Sequence, residues 1–170
     1  MANEVYTRTN QALYFARKAV ASWREVSQSG ALDSVTQSAY HREHALLHLY
    51  RGVLGVIHEV ADRYRWPLMD ARSVEAVLQG DAAVRFPGPE LAELSELATA
   101  QDNWLSRLLS GWQQLQAPPV PQDSKPEADN LILASNALTN AREWSLSDAE
   151  EALAALAERV NRYREGMVEW

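Results

Sequence analysis

The stretch SDAEEALAALAERVNRYREGMVEW, residues 147–170, decides the fold class. Ala149, Leu153, Leu156, Val160, Tyr163, Met167 and Trp170 recur in alternating steps of four and three. That spacing is the seam of a bundle helix, whose apolar side must be covered by other helices. Ser147 and Glu150 stand at capping-box spacing ahead of the seam. Trp170, the last seam position, is expected to dock on the bundle.

Upstream, 117–146 reads as a Pro-rich linker or loop packed on the bundle. Four prolines fall between Ala117 and Glu127, and proline both fixes φ and removes a backbone donor. Within 130–144, Asn-Leu-Ile-Leu-Ala reads as a short extended piece and Ala137–Glu143 as a helical turn.

Before the linker, Glu90–Gln116 reads as one long helix. Pro89 suits its first turn, and Leu91, Leu94, Ala98, Leu105, Leu108, Trp112 and Leu115 form its seam. Asp81–Pro89 reads as a turn and Asp70–Gln79 as a short helix ended by Gly80. Ser34–Arg65 is a long helix that must stop at Trp66-Pro67, because the residue before proline disfavours the helical region. Asn3–Gln28 is the first helix, with Gly30 just past its end. The expectation is therefore one all-α domain over 1–170. It is an antiparallel four-helix bundle with a short extra helix and a long Pro-rich connection before the last helix. Trp23, Leu49, Val53, Leu105, Leu108, Leu156 and Val160 are the predicted core.

The composition narrows the chemistry. There is no cysteine, which removes disulfides, thiolate metal sites and cysteine nucleophiles. The net charge of −7 disfavours nucleic acid and anionic membranes as partners. No apolar run approaches the ~18 residues a membrane span needs, and the N-terminal residues lack the pattern of a signal peptide. A cytoplasmic protein is expected. No P-loop, G-x-S-x-G or G-x-G-x-x-G motif is present.

All four histidines, His41, His44, His48 and His58, lie on the second helix. At ~100° per residue they fall on the side opposite Leu46, Leu49, Val53, Ile57 and Val60. They share that side with Arg51, Gly52, Gly55, Glu59 and Asp62. His44 and His48, four apart, could meet one zinc, copper or nickel ion, with His41 as a third ligand. No fourth ligand is evident, so a solvated polar face is the leading reading and no cofactor is expected. A di-iron site needs Glu-x-x-His on two helices, and only one helix carries histidine. Two glycines inside a helix each cost roughly 1 kcal/mol relative to alanine. Their presence points to a close approach at Gly52 and Gly55, by another helix, the long loop or a partner chain.

Three stretches together resemble a known family: Asn3-Glu-Val-Tyr-Thr-Arg-Thr-Asn-Gln through Leu13-Tyr-Phe-Ala, His48-Leu-Tyr-Arg-Gly with Val56-Ile-His-Glu-Val, and Arg162-Tyr-Arg-Glu-Gly-Met-Val-Glu-Trp. The family consists of small proteins of pseudomonads and related gammaproteobacteria with no assigned function. The resemblance spans the chain and implies a bacterial cytoplasmic protein; it brings no activity, ligand or catalytic residue.

The functional expectation is a non-enzymatic helical protein acting through a protein partner or self-association, with Arg51, Gly52, Gly55, His58 and Glu59 as the contact face. The alternative is a metal- or small-ligand-binding bundle using the histidine face. A third possibility is an enzyme site assembled from scattered carboxylates and histidine.

Overall fold

The computed structural model describes residues 2–118 and 142–168. Among them the secondary structure is entirely helical, in seven helices: α1 (Ala2–Ser29), α2 (Ser34–Tyr64), α3 (Val74–Leu78), α4 (Ala82–Arg85), α5 (Pro89–Thr99), α6 (Trp104–Gln116) and α7 (Leu146–Val168). The linker reading over 117–146 and the docking of Trp170 fall largely or wholly outside the described residues.

The α1–α2 hairpin is the largest packing unit. Gly30 turns the chain with φ +63°, a conformation that glycine adopts without steric cost. Asp33 precedes α2, and its carboxylate accepts from the Gln37 side chain at 2.5 Å. Asp33 makes no side-chain cap hydrogen bond to the backbone, so the predicted Ser34–Gln37 box gives way to this single side-chain pair. Further on, Thr9 lies against Gly55 and Ala12 against Gly52, and Phe15 meets His48. Numbers rise on α1 as they fall on α2, so the two helices are antiparallel. Arg65, left-handed at φ 55°, ends α2 through its N–H to the carbonyls of Ala61 and Asp62.

The predicted third helix is two. Asp102 takes φ +57° and Asn103 restarts the helix. The Asn103 side chain accepts from the N–H groups of Leu105 (2.9 Å) and Ser106 (3.0 Å), while its amide donates back to Leu97 O at 2.8 Å. One side chain closes α5 and opens α6. The short predicted helix shrinks to α3, capped by Ser73 rather than Asp70, and the predicted turn after it contains the single turn α4.

At α7 the cap lies two residues earlier than the sequence suggested. Ser145 Oγ accepts from Asp148 N–H at 3.2 Å, and Asp148 accepts from Ser145 N–H at 2.9 Å. Of the predicted seam, Ala149, Leu156, Val160, Tyr163 and Met167 are buried, while Leu153 is only partly buried. It packs on α1, α2 and α6, and α6 also packs on α2. All seven predicted core residues are buried. No described helix is long and apolar enough to cross a membrane.

Candidate functional site

The histidine helix divides into two halves with opposite surroundings. In its first half His41, His44 and His48 remain at the surface, partly covered. Their neighbours are aromatic. Tyr40 stacks obliquely on His44 with ring centroids 4.3 Å apart and meets His41 at 5.1 Å. His44 and His48 are 6.0 Å apart, Phe15 of α1 meets the edge of His48 at 5.1 Å, and Tyr14 lies 6.1 Å from Phe15. Lys18 sits 5.4 Å over the Tyr14 ring. Tyr14 (53% exposed) and Tyr40 (57%) are among the most exposed aromatic rings of the described residues.

These residues bound a shallow groove of about 240 Å³ lined by Phe15, Lys18, Tyr40, His41, His44 and His48. No carboxylate is among its lining residues. Burial lowers the pKa of His41, with a further push from His44. Burial likewise lowers that of His48, assisted by the charges of Arg51 and His44. The Nδ1 of His48 is enclosed and makes no hydrogen bond among the described residues.

Among the described residues no three His, Asp or Glu side chains are placed to hold a metal ion. His44 and His48 have the sequence spacing for a shared ion, but Tyr40 and Phe15 occupy the space beside their rings.

The second half of the helix departs from the expectation of an outward face. Arg51 is exposed, but Gly52, Gly55, His58 and Glu59 are buried. The helical wheel assumed a single apolar seam, whereas α2 is packed on several sides. A Cβ on Gly52 would stand 2.8 Å from Leu156 Cδ2 of α7, and one on Gly55 would stand 2.7 Å from Thr9 Oγ1 and 3.3 Å from Thr9 Cα of α1. The glycines admit helices of this same chain.

Glu59 is 4% exposed and is held by a fork from α7. Arg164 Nε donates to Oε2 at 2.9 Å and Nη2 to Oε1 at 2.7 Å. The same guanidinium donates to Asn10 Oδ1 at 2.9 Å and lies 4.9 Å over the Tyr6 ring. The bidentate bond to Glu59 raises the pKa of Arg164, as a charge-assisted pair should. His58 Nε2 donates to the Ala71 carbonyl at 3.1 Å, so the neutral ring keeps Nδ1 as its acceptor. Burial lowers the pKa of His58, and nearby Arg72 and Arg8 lower it further, against the upward pull of the Ala71 bond.

A family model, described as a family of unknown function (DUF6586), matches residues 1–170. The chain belongs to DUF6586. No curated protein and no solved structure matches it. Membership therefore brings no catalytic or binding residue to this DUF6586 chain, and the site rests on its own geometry. Sequence reasoning missed Tyr14, Phe15, Lys18 and Tyr40. Their signal was available: Tyr14 and Phe15 are a pair of aromatics that fall off the apolar stripe of α1.

Proposed function

We propose that this DUF6586 chain is a helical interaction protein that docks an acidic, partly apolar segment of a partner protein in the α1–α2 groove. One observation carries the reading. In a chain of net charge −7, this groove is lined by Lys18, three imidazoles and two aromatic rings, with no carboxylate. Exposed aromatics beside cationic groups are the composition of interface centres, and the local charge complements carboxylates. The scaffold is read as an antiparallel four-helix arrangement of α1, α2, the broken α5–α6 unit and α7. Arg24 on Glu150 and Asn10 on Arg164 support opposite directions for α1 and α7. Arg107 on Asp148, with Arg159 over Trp104, does so for α6 and α7.

A fluorescein-labelled peptide of alternating glutamate and phenylalanine tests the docking by anisotropy. Binding should saturate, weaken with added salt, and tighten as the pH falls and His41 and His48 take up protons. Lys18→Glu combined with His44→Glu should weaken it at least about tenfold, with the helical circular dichroism unchanged. A peptide that does not bind, or that binds the double variant equally well, would sink the proposal.

A further inference from the structure

A second concavity lies along α2 from the groove, separated by roughly 20 Å at about 1.5 Å per residue. It is a cavity of about 490 Å³ between the first turns of α1, the C-terminal half of α2 and the loop that follows. Small-ligand sites fall in this size range and combine an apolar wall with a few convergent polar groups. Here the apolar wall is Val5 and Met69, and the polar groups are Glu4, Thr7, Asp62, Arg8 and His58. Gly55 also lines the cavity, so part of its wall is bare backbone.

The polar groups differ in kind. Glu4 and Asp62 accept, and Arg8 donates with a fixed positive charge. His58 is 7% exposed and spends its only N–H on the Ala71 carbonyl, so towards any other group its ring can only accept. Burial lowers its pKa, and its charged neighbours Arg72 from the loop and Arg8 from α1 push the same way, which favours the neutral ring. A purely cationic ligand would leave Arg8 facing a like charge, and a purely anionic one would face two carboxylates. A zwitterion suits both signs at once.

We propose that this cavity binds a small free amino acid with an apolar side chain. The ammonium is received by Glu4 and Asp62, the carboxylate by Arg8, and the side chain by Val5 and Met69. The site is independent of the groove and does not rest on the docking reading.

The test is a titration of the full chain with L-leucine, followed by the ¹³C-methyl NMR signal of Met69, which Met69→Leu assigns. Isoamylamine, which lacks the carboxylate, and isocaproate, which lacks the ammonium, are titrated in parallel. Leucine should shift the Met69 methyl to saturation at one equivalent site. Each half-molecule should bind at least about tenfold more weakly, since each forgoes one charge-assisted set of hydrogen bonds. Arg8 is exposed, so Arg8→Ala should keep the fold. It should reduce leucine binding to the level of isoamylamine and leave isoamylamine no weaker. A Met69 methyl unmoved by leucine up to about 10 mM, a range that would detect even millimolar affinity, overturns the proposal. So does isoamylamine binding as tightly as leucine, or leucine binding unchanged by Arg8→Ala.

Discussion

Glu59 is the residue whose sequence reading and structural position differ most. Its carboxylate is enclosed between α1, α2 and α7, and the fork from Arg164 satisfies both oxygens. Removing one partner strands a buried charge, whereas removing both leaves an apolar site. Arg164→Ala should therefore cost about 3–5 kcal/mol in urea unfolding. Part of that loss comes from the guanidinium's packing on Tyr6. The double substitution Glu59→Leu with Arg164→Leu should recover much of it, because well-packed apolar replacements of buried pairs are often neutral. If the single and double variants are equally destabilised, the pair is not what the site depends on. None of this was legible in the sequence. The two residues are 105 positions apart, and each alone reads as a charge on a helix face. The histidines of the groove were legible from the sequence and its aromatics were missed, because their meeting across α1 and α2 depends on hairpin register, which no local pattern encodes.

Elements were far easier to read than their contacts. The seam of α7 survives because a 3.5-residue period is fixed by burial alone, and burial favours the same residues whatever lies opposite. Caps were misplaced by two or three residues because Ser and Asp recur near helix starts: Ser145 and Ser147 both qualify, and only tertiary packing selects Ser145. The break after α5 was invisible because the apolar period continues in phase from Leu91 to Leu115 across it. The glycines of α2 were read correctly as a close approach, and the structure identifies the neighbour as α1 and α7. A definite ordering follows for alanine. At Gly52 the obstacle is the flexible tip of Leu156, so the helix-propensity gain of up to about 1 kcal/mol roughly offsets the crowding. At Gly55 the obstacle includes the Thr9 backbone, and Thr9 is itself fully buried. Gly55→Ala should lower stability by about 1–3 kcal/mol, with Gly52→Ala near wild type. Both melting temperatures should be independent of protein concentration, since the crowded neighbours belong to the same chain. A Gly55→Ala protein as stable as wild type would mean that α1 can move aside.

On the acid side of neutrality, three histidines and Glu93 act in one direction. His41, His48 and His58 all have folded-state pKa values lowered, chiefly by burial. The unfolded chain therefore takes up protons first as pH falls below about 6.5. Stability is full above that pH and is lost progressively on acidification, until the folded-state values are reached. Glu93 continues the trend. Burial alone would raise its pKa, but hydrogen bonds from Arg162 and Tyr163, with the charges of Arg162 and Arg159, lower it on balance. Its contribution is present above the ordinary carboxylate range and is lost as pH falls through it. The urea midpoint should thus fall from about pH 7.5 to about pH 5.5 and fall again towards pH 4. His58→Gln can keep an N–H for the Ala71 carbonyl without titrating, so it should flatten the first segment and leave the second intact. A midpoint that is constant between pH 7.5 and 5.5, or a first segment equally steep in the variant, would remove His58 from the account. The docking proposal adds a sign of its own. A carboxylate seated against His41 and His48 would favour their charged forms, so the complex should lose less stability than the free chain over that first segment. Measured with and without the acidic peptide, the two curves should converge above about pH 8 and separate below it. Parallel curves would mean that the peptide, wherever it binds, does not sit against the imidazoles.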